Sequence, residues 1–189
     1  MKKINFKDIF VPTISLFLIC IVVSVLLAGT NELTKGPIAE IQAQTAAEAM
    51  KAVCSDAETF EGKEGLEIEV YRGLDSAGGL VGYAIPSSYK GYGGDIEIMV
   101  GINLSGEVTG VEILSHGETP GLGANCTKEE FTDMFKQSVT DSFSVVKDST
   151  GGEGGRIDAL TGATITSDAV TQAVNKALDV YNSLEGGEG

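Results

Sequence analysis

The chain has 189 residues, enough for one domain with its own core, and a formal charge of −14 from 27 acidic and 13 basic side chains. An acidic surface of this kind excludes nucleic acid and anionic lipid headgroups as attracted partners. Three cysteines and a single histidine, scattered along the chain, leave no zinc, haem or iron–sulfur ligand set.

Residues 9–29, IFVPTISLFLICIVVSVLLAG, are almost wholly apolar and uncharged. A helix of that length crosses a hydrocarbon core of about 30 Å. Pro12 falls in its first turn, where a missing N–H costs little. The residues around Leu26, Leu27, Ala28 and Gly29 do not set small side chains at both cleavage positions, so the span is read as an uncleaved anchor. Lys2, Lys3 and Lys7 precede it, and no basic cluster follows closely, which places residues 1–8 in the cytoplasm. The three lysines and Asp8 contribute +2, so the chain after the span carries −16. The expected organisation is a cytoplasmic N-terminus (1–8), a transmembrane helix (9–29), an extracytoplasmic domain (30–185) and a flexible tail (186–189).

The elements of that domain follow in order. Residues 34–57 are rich in alanine, glutamate and glutamine and predict a helix, with Pro37 near its start. Residues 66–70 alternate apolar and charged side chains, the pattern of a half-buried strand. Further strands are expected over 80–85, 95–102 and 107–114, with a hairpin turn at 104–107. Thr127 and Glu130 fit a capping box for a short helix over 127–138, whose apolar face is Phe131, Met134 and Phe135. Residues 143–146 read as a strand and 151–155 as a flexible glycine-rich loop. A last helix over 167–184 carries Val170, Val174, Ala177, Tyr181 and Leu184 on one stripe. The fold class is α+β, a mainly antiparallel sheet flanked by helices behind one membrane anchor. Cys54 and Cys126 both follow the span, so a bridge between them is chemically allowed, and the sequence leaves their pairing open.

Two segments carry candidate chemistry. The first is Asp158-Ala159-Leu160-Thr161-Gly162-Ala163-Thr164, immediately before the last helix. Gly162 permits positive φ and close approach of a ligand, Ala163 keeps that approach uncrowded, and Thr164 supplies a nucleophilic oxygen. Thr166 or Ser167 is expected to cap the helix. Its free N–H groups and positive dipole end favour a phosphate esterified to Thr164. The plainer alternative is a strand-to-helix turn with a good cap. The second segment is His116-Gly117-Glu118-Thr119-Pro120-Gly121-Leu122-Gly123, reached after Lys90-Gly91-Tyr92-Gly93-Gly94. Pro120 and the glycines make a tight turn with exposed backbone groups. Leu122 can cover the face of a flat ligand, and Tyr92 can stack on one or serve the core. His116 is read as structural.

The D-x-x-T-G-A-T string resembles the FMN-attachment sequence of the FMN-binding domain family, and H-x-E-T-P-G-L-G resembles that family's second signature, a loop near the flavin ring. The family includes the G subunit of Rnf-type electron transport complexes and the C subunit of the sodium-pumping NADH:quinone reductase; the compact length is closer to the former. The resemblance covers nearly the whole chain. It implies covalent FMN on Thr164 through a phosphoester, placed there from FAD by a separate flavin transferase that recognises Asp158. It implies cofactor contacts from Tyr92, Glu118, Thr119, Gly121, Leu122, Gly123, Thr161, Gly162 and Ala163. It further implies an electron-relay subunit of a membrane-bound ferredoxin:NAD⁺ oxidoreductase that translocates Na⁺ or H⁺. The partners would be the other membrane and peripheral subunits, and the chain would have no complete catalytic cycle of its own. With neither G-x-G-x-x-G nor an iron–sulfur cysteine set, NAD and ferredoxin chemistry would belong to those partners. Two alternatives stand beside it: another anchored FMN-domain protein, such as the C subunit of the sodium-pumping reductase, and an anchored non-redox binding domain in which T-G-A-T only turns the chain.

Overall fold

The structure is a computed structural model that describes residues 6–63, 69–137, 142–147 and 154–185. The chain divides into two compact units, Met1–Gln44 and Thr45–Gly189. Helix α1 spans Phe6–Val53. Among the described residues it is the one helix long and apolar enough to cross a membrane, and its large apolar side chains from Phe10 to Leu27 are exposed. The expected span and the expected helix over 34–57 are thus one element, which stops at Val53 with Pro12 and Pro37 inside it. An interior proline forfeits one backbone hydrogen bond and costs a helix about 3 kcal/mol. The run of alanine, glutamate and glutamine after Pro37 consists of the strongest helix formers and carries the helix onward.

The second unit is built on a five-stranded antiparallel meander: β1 (Thr59–Lys63), β2 (Val70–Leu74), β3 (Leu80–Lys90), β4 (Asp95–Asn103) and β5 (Val108–Ser115), paired in sequence order. In β4 the alternating Ile96, Ile98, Val100 and Ile102 are fully buried on one face, a period-two pattern of β-branched residues that suits a pleated sheet. The turn expected at 104–107 forms: the Asn103 side-chain oxygen accepts from the amides of Ser105 (2.9 Å) and Glu107 (3.0 Å). Of the strand expected over 66–70, only Val70 falls within β2; 66–68 lie outside the described residues. Strand β1 is not predicted from the sequence, because Thr59–Lys63 lacks an alternating apolar pattern and gains its place by pairing with β2.

Helix α3 (Thr164–Glu185) lies on the isoleucine face. Val170, Val174, Ala177, Tyr181 and Leu184, the predicted stripe, join Ile85, Ile96, Ile98, Val100 and Ile102 in one core cluster. Each fully buried aliphatic side chain there contributes about 1.5–3 kcal/mol of transfer free energy. Asn175 of α3 fastens strand β6 (Ser144–Val146): its Oδ1 accepts from the Phe143 amide at 2.7 Å and its Nδ2 donates to the Phe143 carbonyl at 3.0 Å. Strand β6 pairs in parallel with β7 (Arg156–Asp158), a strand too short for its pattern to predict. The glycine-rich loop reaches the described residues only at Gly154 and Gly155, and the tail 186–189 lies outside them.

The helix expected over 127–138 is broken into a 3₁₀ turn (Gly123–Thr127), a one-turn helix α2 (Glu129–Thr132) and a second 3₁₀ turn (Asp133–Phe135), with Ser138 outside the described residues. No capping box forms. The Thr127 hydroxyl donates to the Ala124 carbonyl at 3.0 Å, and Lys128 stands at the helix start. The predicted apolar face does point inward: Phe131 and Phe135 are buried, with Met134 packed against the same core. Successive ring contacts join Phe131, Phe135 and Phe143 at 5.7 and 5.3 Å.

The opposite sheet face holds a smaller cluster of Ala49, Val53, Cys54, Ala57, Ala84 and Met99. Cys126 belongs to the isoleucine-side core, so the sheet separates the two thiols, and both are free and buried. Burial pushes each thiol up to about 11. The end of α1 seats in a notch made by paired glycines, Gly101 on β4 and Gly110 on β5. A Cβ at Gly101 would collide with the Val53 carbonyl, and one at Gly110 would come within 3.0 Å of the Val53 Cα. Thr109 closes the notch by donating its hydroxyl to the Val53 carbonyl at 2.6 Å. Gly101→Ala is therefore expected to destabilise the domain by about 1–3 kcal/mol, as overpacking does. Urea unfolding measures this, and an unchanged midpoint would show that α1 does not close on the sheet as described.

Candidate functional site

Three loops meet at one end of the sheet. The first joins β3 to β4 and is closed by the Gly91 amide donating to the Gly94 carbonyl at 2.8 Å. The second follows β5 and turns at Thr119-Pro120-Gly121-Leu122, where the Leu122 amide donates to the Thr119 carbonyl at 3.2 Å and Gly121 has φ +79°. Proline second and positive-φ glycine third make a type II turn. The third joins β7 to α3 in a similar way: the Ala163 amide donates to the Leu160 carbonyl at 2.9 Å and Gly162 has φ +75°. Any residue with a Cβ would be strained at these two glycines.

The third turn delivers Thr164 as the first residue of α3, three residues earlier than the sequence predicts. Thr166 and Ser167 are consequently inside the helix and do not cap it. Ser167 instead pins the turn from within, its hydroxyl accepting from the Leu160 amide at 2.9 Å and donating to the Ala163 carbonyl at 3.1 Å. Thr166 is only 1% exposed and donates its hydroxyl to Glu118 Oε2 at 2.5 Å.

Between the loops lies a cleft of about 540 Å³. Tyr92 lines it from the first loop; Glu118, Thr119, Leu122 and Gly123 from the second; Gly162, Ala163 and Thr164 from the third, followed by Ile165 and Thr166. Eight residues singled out in the sequence thus converge there. Gly121, Thr161 and Asp158 do not line it: the first two shape the turns behind the wall, and Asp158 ends β7. Ile165 and Thr166 escape the sequence reading because a helix starting at 167 makes Thr166 a cap; the earlier start of α3 is what brings both to the cleft. Three apolar side chains stand open around it, Tyr92 at 73%, Ile165 at 57% and Leu122 at 45% exposure.

Glu118 is the one charged residue among the lining side chains. Burial works against its ionisation, but hydrogen bonds from the Thr166 hydroxyl and the Gly93 and Tyr92 amides, with His116 nearby, outweigh it and hold the carboxyl below the usual range. The His116 Nδ1 accepts from the Glu118 amide at 3.2 Å, a structural role consistent with its sequence reading.

These features suit a flat aromatic ligand bearing a phosphate. The volume lies within the range of about 300–1,000 Å³ usual for small-molecule sites. The first-turn amides of α3 have no intrahelical acceptors, the helix dipole favours an anion there, and no acidic residue occupies that turn. Tyr92, Leu122 and Ile165 offer apolar surface to a ring. No group of metal-ligating side chains occurs among the described residues.

Because the Glu118 carboxyl titrates lower in the folded chain than in the unfolded one, its ionisation adds stability at neutral pH. That contribution is lost as pH falls from about 4.3 through the folded value. Glu118→Gln should therefore unfold at lower urea than the parent at pH 7, with the gap narrowing in acid. A gap independent of pH would contradict this account of the carboxylate.

Comparison with known proteins fits the geometry. The FMN-binding domain family matches residues 91–179. The chain is 35% identical to the G subunit of the proton-translocating ferredoxin:NAD(+) oxidoreductase complex of Clostridium ljungdahlii, covering 96% of each chain. It is 36% identical to the G subunit of the Na(+)-translocating ferredoxin:NAD(+) oxidoreductase complex of Acetobacterium woodii, again covering 96% of each. The fold is similar to that in the crystal structure of Shewanella oneidensis NqrC, with a TM-score of 0.51 and 24% identity over 66% of this chain and 65% of that one. An FMN-binding domain whose cleft sits at the start of its last helix, preceded in sequence by an apolar N-terminal helix and with full-length likeness to these subunits, places the chain in the G-subunit family of ion-translocating ferredoxin:NAD(+) oxidoreductase complexes.

Proposed function

We propose that this chain is the FMN-carrying electron relay of an Rnf-type complex, with FMN held as a phosphoester on Thr164. The observation that carries the reading is the position of Thr164, a hydroxyl-bearing first residue of α3 in the wall of the cleft. Attachment balances as a transfer. The threonine oxygen bonds to the FMN phosphorus of FAD, the pyrophosphate bond breaks, and AMP leaves while the hydroxyl proton is lost. Asp158, at the end of β7 and outside the cleft lining, serves recognition by the flavin transferase.

FMN supplies the one- and two-electron chemistry that side chains lack. The chain's own residues do the rest. The open amides of the first turn hold the phosphate. Thr119 and the backbone of the second loop would offer the flavin polar groups, while Leu122, Ile165 and Tyr92 would give it apolar contact and limit water. The other subunits of the complex deliver and remove electrons and move the ion. The helix α1 anchors the domain, and the lysines ahead of it set the domain outside the cytoplasm.

Intact mass of the protein from its native membrane, with in-gel flavin fluorescence, tests the attachment. The expected gain is FMN less one water, with fluorescence that survives denaturation and is absent in Thr164→Val. An unmodified mass from cells with an active flavin transferase would falsify the relay. Orientation is tested by adding protease to intact spheroplasts: digestion of the domain is expected, and its full protection would reverse the assignment.

A further inference from the structure

Glu118 has more work than lining a cleft requires. It is only 6% exposed and carries a charge with no lysine or arginine partner among the described ion pairs. Its Oε1 accepts from the Gly93 amide at 2.9 Å, and its Oε2 accepts from the Thr166 hydroxyl at 2.5 Å. The Tyr92 amide adds a further bond. One carboxylate therefore ties the first loop and the first turn of α3 to the second loop. Glycines clear the space for it. A Cβ at Gly91 would strike Oε1, and one at Gly123 would strike both Oε2 and the Thr166 hydroxyl. Gly93 and Gly117 approach so closely that a Cβ at Gly93 would overlap the Gly117 carbonyl.

Burying a carboxylate without a cation is costly even when it is hydrogen-bonded. Three donors offset that cost here, and they hold the charge fixed in the wall of the cleft. The bond to Thr166 also separates the two threonines that reach the cleft from α3. The Thr166 hydroxyl is occupied, whereas the Thr164 hydroxyl makes no hydrogen bond among the described residues.

We propose that Glu118 is a positioning residue with two effects: its carboxylate braces the three loops and withdraws Thr166 so that, of the two α3 threonines, Thr164 alone presents a free hydroxyl, and its fixed negative charge biases the cleft against a ligand gaining electrons. The second effect rests on the FMN reading; the first does not. In a wall shielded from water, a nearby anion opposes added negative charge more strongly than it would in bulk solvent.

Two measurements on the full-length chain separate these effects. Hydrogen exchange is followed on protein made without flavin transferase. In Glu118→Ala and Thr166→Val, the amides of Tyr92, Gly93 and Ser167, the last bonded to the Ala163 carbonyl, should exchange about tenfold faster, the scale expected for losing one charge-assisted hydrogen bond. Glu118→Gln, which keeps one acceptor oxygen, should fall between the parent and Glu118→Ala. If Glu118→Ala does not fold, Thr166→Val, which removes only one hydroxyl, decides the brace. Unchanged exchange in the folded variants overturns it. On flavin-loaded protein, the midpoint potential of Glu118→Gln should shift upward, a change that a purely structural role would not produce. An unchanged potential overturns the electrostatic effect. A parent chain that takes no flavin in cells with the transferase defeats the FMN reading and, with it, the second effect, while the exchange result still stands on its own.

Discussion

The cleft depends on where α3 sits. Val170, Val174, Ala177, Leu178 and Tyr181 pack on the isoleucine face of β3 and β4, and that contact fixes the helix along the sheet. Its far end is secured by the Tyr181 hydroxyl donating to the Leu104 carbonyl at 3.1 Å and by edge-on contact of the Tyr83 and Tyr181 rings. With the axis fixed, the first turn arrives at the end of the sheet where the two glycine-rich loops emerge. Apolar burial, which has no direction of its own, thereby delivers a directional group, the open amides of a helix start.

Once the helix is seated, local hydrogen bonds set the fine geometry. Ser167 pins the Leu160–Ala163 turn, and Glu118 fastens the loops across the cleft. Such bonds contribute about 0.5–1.5 kcal/mol each, more where a charge is involved. That is small beside the core, yet it is what distinguishes one hydroxyl from another two residues away. The glycines follow from this crowding. Gly91, Gly93, Gly117 and Gly123 are required by space, whereas Gly121 and Gly162 are required by φ.

Electrostatics divide the same region. The start of α3 favours a phosphate, while the Glu118 carboxylate, bonded to Thr166 beside it, disfavours added negative charge. The phosphoester proposed for Thr164 would answer that mixture. A ligand held by modest dipole interactions in an open cleft beside an anion would leave readily, and a tether removes the dependence on affinity. The apolar rim of Tyr92, Leu122 and Ile165 then needs only to orient the ring.

Composition and short-range pattern by themselves determined the membrane-length apolar run, the strands of the meander with clear alternation, the stripe of α3 and the two segments that meet at the cleft. Each depends on residues within a few positions of one another, so periodicity and turn chemistry suffice. The tertiary structure decided the rest. β1 and β7 exist because partner strands pair with them, and the segment over 127–137 breaks into short turns while Phe131, Phe135 and Phe143 still enter one core. Cys54 and Cys126 stay apart because the sheet lies between them. The start of α3 falls at Thr164, and Thr166 is not a cap but a partner of Glu118, 48 positions away in sequence. A contact of that span leaves no periodic trace in the chain, because it is set by where α3 seats on the sheet and not by any neighbour in sequence.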